Sequence, residues 1–275
     1  MGDPILNTTT LLDGRAVLLE FDHGKANEMG TGTLKELERL VDRLRDDPRL
    51  IALITWSRKS SRRGTPIFVA GADVTERVGW DDGRIKDHVR WQRLVLSRLR
   101  CAPVFHVAVV HGVALGWGTE YLLTADYSIA TPTARFALPE TGLGILPGAG
   151  GTSELHQQIG VAHALRLGMT GEQIGADEAL RIGLVQELAD DLDAAMARAR
   201  ELAEMVGRRS PTAVAALKAA VLRSVGESQE QRRENEAKAY EHCVDTGEAA
   251  MGRAHFGASR RGEPMPWGPK VTFDR

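Results

Sequence analysis

The sequence predicts an α/β core followed by an all-helical C-terminal region, and three observations carry that reading. Short apolar runs alternate with a helical repeat through the first half of the chain. The middle holds a continuous apolar run, residues 104–110 (VFHVAVV), with the character of a strand buried on both faces. Beyond Gly183 the strand signals fade and helix-start signals take over.

Taken in order, residues 16–21 (AVLLEF) and 50–55 (LIALIT) read as strands. Between them Leu34, Leu37, Leu40, Val41 and Leu44 recur at three- and four-residue spacing, which marks an amphipathic helix. Strands separated by helical stretches suggest right-handed crossover units. Further on, Ser210 is placed to cap a helix with Pro211 at its first position, so 212–223 reads as helical. Residues 229–256 read as one or two more helices, and the tail from Gly257 is rich in glycine and proline. We expect a core over 1–205 and a helical region over 206–275 that packs on the core or on a sister subunit.

Composition narrows the function. The chain has 275 residues with 35 basic and 37 acidic side chains, a formal net charge of −2. Near-neutrality argues against a dedicated nucleic-acid binder or a protein held on membranes by charge. No run approaches the ~20 apolar residues that span a bilayer, and the first ten residues lack a signal-peptide pattern. Cys101 and Cys243 match no metal-ligand spacing and read as reduced thiols of a cytoplasmic protein.

Two loops stand out: the basic stretch 57–63 (SRKSSRR) and the glycine-rich stretch 142–151 (GLGILPGAGG). The latter lacks the third glycine of a dinucleotide fingerprint and the lysine of a triphosphate loop. Its glycines are better read as permitting tight turns and close backbone approach. No nucleophile elbow is present, and the histidines show no zinc spacing. His106 and His111, in or beside an apolar strand, read as structural. Carboxylates remain: Glu120 opens an apolar helical stretch and Glu140 follows Pro139. From the residues alone, two readings stay open. The pair is either chemical, or a helix first-turn acid and a surface loop acid.

Longer segments break the tie. Residues 111–151 (HGVALGWGTEYLLTADYSIATPTARFALPETGLGILPGAGG) resemble the core signature of the crotonase family, the enoyl-CoA hydratases and isomerases. So do 68–76 (FVAGADVTE), 24–29 (GKANEM) and 167–185 (LGMTGEQIGADEALRIGLV), in the same order across most of residues 15–260. The resemblance implies a spiral of β-β-α turns and a helical C-terminal region that mediates trimerisation, as a homotrimer or a hexamer. It implies an enzyme acting on acyl-CoA, with coenzyme A arriving as part of the substrate and no separate cofactor.

Carried onto this chain, the resemblance makes Glu120 and Glu140 the two catalytic acids of a hydratase. The backbone N–H groups of Ala72 and Trp117 become its oxyanion hole. Lys25, Ala26, Ala70, Asp73, Gly116, Leu138 and Gly148 become substrate-binding positions. Isomerases of the family often keep only the second acid, so hydration is the first expectation. An isomerase, a dehydratase acting on a branched or carrier-protein-bound chain, and a non-catalytic acyl-CoA binder are the alternatives. Trp117 departs from the family's glycine, a residue freer in its dihedrals, and is expected to reshape the acyl pocket or to pack in the core. The basic loop offers Arg58, Lys59, Arg62 and Arg63 to CoA phosphates or an acyl carrier protein.

Overall fold

The apolar runs read from the sequence become neighbouring parallel strands. The computed structural model describes residues 6–273. Its strands are β1 Asn7–Leu11, β2 Ala16–Glu20, β3 Ala52–Trp56, β4 Ile67–Ala70 and β5 Phe105–Val110, then β6 Val113–Leu115, β7 Tyr127–Ala130, β8 Arg135–Ala137, β9 Ile174–Gly175 and β10 Glu187–Leu188. The first sheet runs β1-β2-β3-β5-β7-β10 and the second β4-β6-β8-β9. Pairing is parallel except at two edges, β1 on β2 and β9 on β8.

The connectivity explains the shape. β3, β5 and β7 enter the first sheet, and the strand after each of them (β4, β6, β8) enters the second. Each pass of the chain therefore lays one strand in each sheet before returning, which is the expected β-β-α spiral. β3 is central and buried throughout, as its mostly apolar sequence requires. β1 carries three threonines and stays exposed, as suits an edge strand.

Helix α1, Thr31–Asp46, buries Leu34, Leu37, Leu40, Val41 and Leu44, the stripe expected from the spacing. Helix α2, Asp82–Arg100, is capped by the Asp81 carboxylate, which accepts from Arg84 N–H. Helix α3, Trp117–Leu122, is short and wholly buried. The helix Leu192–Gly207 lays Ala195, Met196, Ala199 and Ala203 on the outer face of the first sheet. Ser210 Oγ accepts from Ala213 N–H at 2.9 Å, with Pro211 opening the helix Pro211–Arg223 as its sequence predicts. That helix and Gln229–Asp245 close around a small separate cluster of Ala216, Ala220 and Ala239. Among the described residues, no helix is long and apolar enough to cross a membrane.

The C-terminal segment returns to the core through one buried cation. Lys270 Nζ donates to the carbonyls of Leu44, Leu50 and Pro103 at 3.2, 2.9 and 3.1 Å, and its backbone N–H donates to Pro48. Burial lowers its pKa to about 8, so it still carries its charge at neutral pH. Lys270→Met should lower stability by about 2 kcal/mol or more, because hydrogen bonds from a charged donor are lost together. Chemical denaturation checks this, and a change within ~0.5 kcal/mol would show that the clasp contributes nothing.

Candidate active site

Helix α3 is locked in place by its own small residues. A side chain on Gly118 would lie 2.1 Å from the Val69 carbonyl oxygen, so only glycine lets the helix approach β4 this closely. Thr119 Oγ1 donates to the Ala114 and Ala137 carbonyls, tying α3 to β6 and β8 together. Gly116 precedes the helix at φ 51°, a left-handed conformation that favours glycine. Its missing Cβ would stand 2.5 Å from Glu140 Oε1. Trp117 itself has no left-handed φ, so the conformational demand falls on Gly116 and the expected resistance of tryptophan does not arise.

The ends of β4 and β6, the N-terminus of α3 and the glycine-rich loop enclose a cavity of about 240 Å³. Both glutamates border it, with Ala70, Ala72, Gly116 and Trp117. Gly148 borders it as well, on the side opened by Leu143, Ile145 and Leu146. Trp117 opens α3, so its N–H has no acceptor within the helix. Ala72 N–H donates to no backbone carbonyl among the described residues. The Trp117 ring is buried in the core, tilted against Tyr121 at 5.4 Å between centroids.

Glu120 is almost fully buried, and its Oε1 accepts from the N–H groups of Ala149 and Gly151 at 2.7 and 2.9 Å. Burial raises its pKa, while those two donors and the charge of Arg93 pull it back down. Glu140 is half-buried, with one oxygen lacking any partner. Burial, helped by the charge on Glu120, pushes its pKa up to about 7. The loop carrying Ala149 and Gly151 is anchored from α2, where Arg93 Nε donates to the Gly148 carbonyl and Arg100 pairs with Glu154. The loop's close backbone approach was legible in its glycines; that it grips a glutamate was not.

Other expected binding positions lie elsewhere. The Asp73 carboxylate accepts from Thr75 N–H and Oγ1 and from Glu76 N–H at the start of the 3₁₀ turn Thr75–Arg77. Leu138 is in the apolar core. Lys25 is exposed, and Ala26 gives its carbonyl to Ala70 N–H. The basic loop enters β4 at the end opposite the cavity, and two of its cations are already paired, Arg58 with Glu20 and Lys59 with Asp22. His106 is structural: its ring meets Thr55 Oγ1 at 3.0 Å and the Thr124 carbonyl at 3.1 Å, and burial lowers its pKa to about 3. His111 meets the hydroxyls of Thr131 and Thr133. Arg77 and Gln92 were not anticipated, yet both border the cavity.

A two-sheet spiral of β-β-α turns with a helical C-terminal region is the architecture of crotonase-fold enzymes. An enoyl-CoA hydratase structure from Bacillus anthracis matches this chain at TM-score 0.86 and 28% identity, covering 96% of this chain and 98% of the other. A Pseudomonas aeruginosa structure, DspI, matches at TM-score 0.85 and 30% identity over 96% and 97%. In sequence, the Bacillus subtilis protein YngF, named as an enoyl-CoA hydratase/isomerase, is 32% identical across 95% of this chain and 98% of its own length. A short-chain-enoyl-CoA hydratase of Clostridium acetobutylicum is 32% identical across 85% and 88%. The sequence model described as enoyl-CoA hydratase/isomerase matches residues 16–263, and the chain belongs to that family.

Proposed function

We propose that the enzyme adds water reversibly across the double bond of a 2-enoyl-CoA, with Glu120 and Glu140 as its proton-handling pair. The observation that carries this reading is one cavity bordered by a buried and a half-buried carboxylate beside two free backbone N–H groups. The N–H groups of Ala72 and Trp117 accept the charge that develops on the thioester oxygen. One such donor is typically worth ~3 kcal/mol of barrier. Polarised this way, the β carbon becomes open to water and the α carbon to a proton. Glu120, held by Ala149 and Gly151, orients the water and takes its proton as the C–O bond forms. Glu140, with its raised pKa, delivers a proton to the α carbon as the double bond electrons move there. The dyad begins and ends with one proton, so the reaction needs no other acid or base.

Retention of both acids favours hydration over isomerisation, and it argues against a non-catalytic acyl-CoA binder. A dehydratase on a branched or carrier-bound chain would use the same groups. The implied trimer or hexamer finds support in Leu217, Val221 and Val225, which leave an apolar strip exposed along and just beyond the helix Pro211–Arg223. The test is the loss of conjugated-thioester absorbance when the enzyme meets crotonyl-CoA. Turnover well above the uncatalysed rate is expected; bound thioester with no turnover would return the reading to the non-catalytic alternative.

A further inference from the structure

The cavity contains a cation that the hydration mechanism does not use. Arg77 ends the 3₁₀ turn that begins three residues after Ala72, and it borders the same cavity as both glutamates. The turn is tied to its surroundings: Asp73 accepts from its first two N–H groups, and Glu76 accepts from Thr31 N–H at the start of α1. The Arg77 guanidinium makes one long hydrogen bond, Nη2 to Gln92 Oε1 at 3.4 Å, and forms no ion pair among the described residues. Its Nε is buried without an acceptor, and so is Nε2 of Gln92, a side chain only 4% exposed.

Buried donors are nearly always satisfied, and leaving them unpaired costs about 1–3 kcal/mol each. Here the two side chains that carry these donors, one of them a cation, both border one cavity. The glutamates do not supply the missing acceptor. The cation acting on Glu120 is Arg93, and the charge acting on Glu140 is that of Glu120. The charges of Glu76 and Asp73 act on Arg77, but their oxygens accept from donors of the turn and of α1 and take no hydrogen bond from its guanidinium. A planar guanidinium beside a primary amide matches the two oxygens of a carboxylate.

We propose that Arg77 and Gln92 receive a carboxylate on the acyl chain, so that the preferred substrate is a 2-enoyl thioester of a dicarboxylic acid. The assignment rests on the hydratase reading and narrows its substrate class. Val74 and Val89, also on the cavity wall, would flank the methylene carbons. A neutral straight chain entering this site would leave both donors without an acceptor.

Binding of two saturated thioesters, glutaryl-CoA and pentanoyl-CoA, tests this apart from any turnover. They share chain length and coenzyme A and differ in a terminal carboxylate against a methyl. Wild type should bind glutaryl-CoA at least ten-fold more tightly, with the ratio collapsing towards one in Arg77→Met and partly restored in Arg77→Lys. Equal binding by wild type would overturn the proposal. So would a weakening of both thioesters alike in Arg77→Met, which would place the cation on coenzyme A instead. If a thermal melt shows that Arg77→Met does not fold, the wild-type ratio alone decides. Crotonyl-CoA turnover judges the hydration reading independently of this ratio.

Discussion

Glu140→Gln should lower kcat/KM for crotonyl-CoA hydration about a thousand-fold, within the ~10²–10⁴ that a positioned proton donor supplies. Glutamine keeps the shape of the side chain and cannot release the proton. The wild-type pH profile should share the same cause. In the proposed mechanism hydration starts with the dyad singly protonated and ends so, with the proton on the other partner. Water and thioester do not ionise, so kcat/KM in the hydration and dehydration directions must rise and fall together with that one protonation state. Its loss on the alkaline side follows Glu140, whose pKa lies at about 7. Activity should therefore fall ten-fold per pH unit above that value, in both directions. A profile flat to pH ~9 would remove Glu140 from proton transfer. The raised pKa also has a stability consequence of definite sign. Between its unfolded value and about 7 the folded state holds the extra proton, so stability falls as pH rises through that window. Glutamine lacks this penalty, and the variant should melt no lower than wild type at pH 8.

The central strands were legible in the sequence because each is apolar on both faces: β2, β3 and β5 emerge almost at their expected limits. β4, β6 and β8 were not called as strands, being three or four residues long and too short for a period to show. Helix α2 failed to register for a more instructive reason. Its buried stripe runs His88, Gln92, Val95, Leu96, Leu99, with polar residues where apolar ones would announce a helix. Gln92 borders the cavity, and a polar residue at that position interrupts the apolar repeat. The glutamates were found through longer segments of sequence, since nothing local distinguishes a buried acid from a helix first-turn acid. What no reading of the chain supplied was the company each keeps. Ala149 and Gly151 reach Glu120 across about thirty residues through backbone groups, which carry no sequence signal of their own.

That company sets the sharpest test of Glu120, because the carboxylate holds a loop besides the role in proton transfer proposed for it. Glu120→Gln keeps an acceptor oxygen for the Ala149 and Gly151 N–H groups, so the loop should stay in place and stability should change by less than ~1 kcal/mol. The variant has lost the base, and kcat should drop about a thousand-fold with little change in KM. Glu120→Ala removes both functions. Two buried donors lose their acceptor, stability should fall by about 2 kcal/mol or more, and KM should rise as the loop beside the cavity loosens. Steady-state kinetics with thermal melts of the three proteins separate the roles. If the glutamine variant kept activity within ten-fold of wild type, Glu120 would be an anchor for residues 148–151 and Glu140 would be working alone, which is the arrangement of an isomerase.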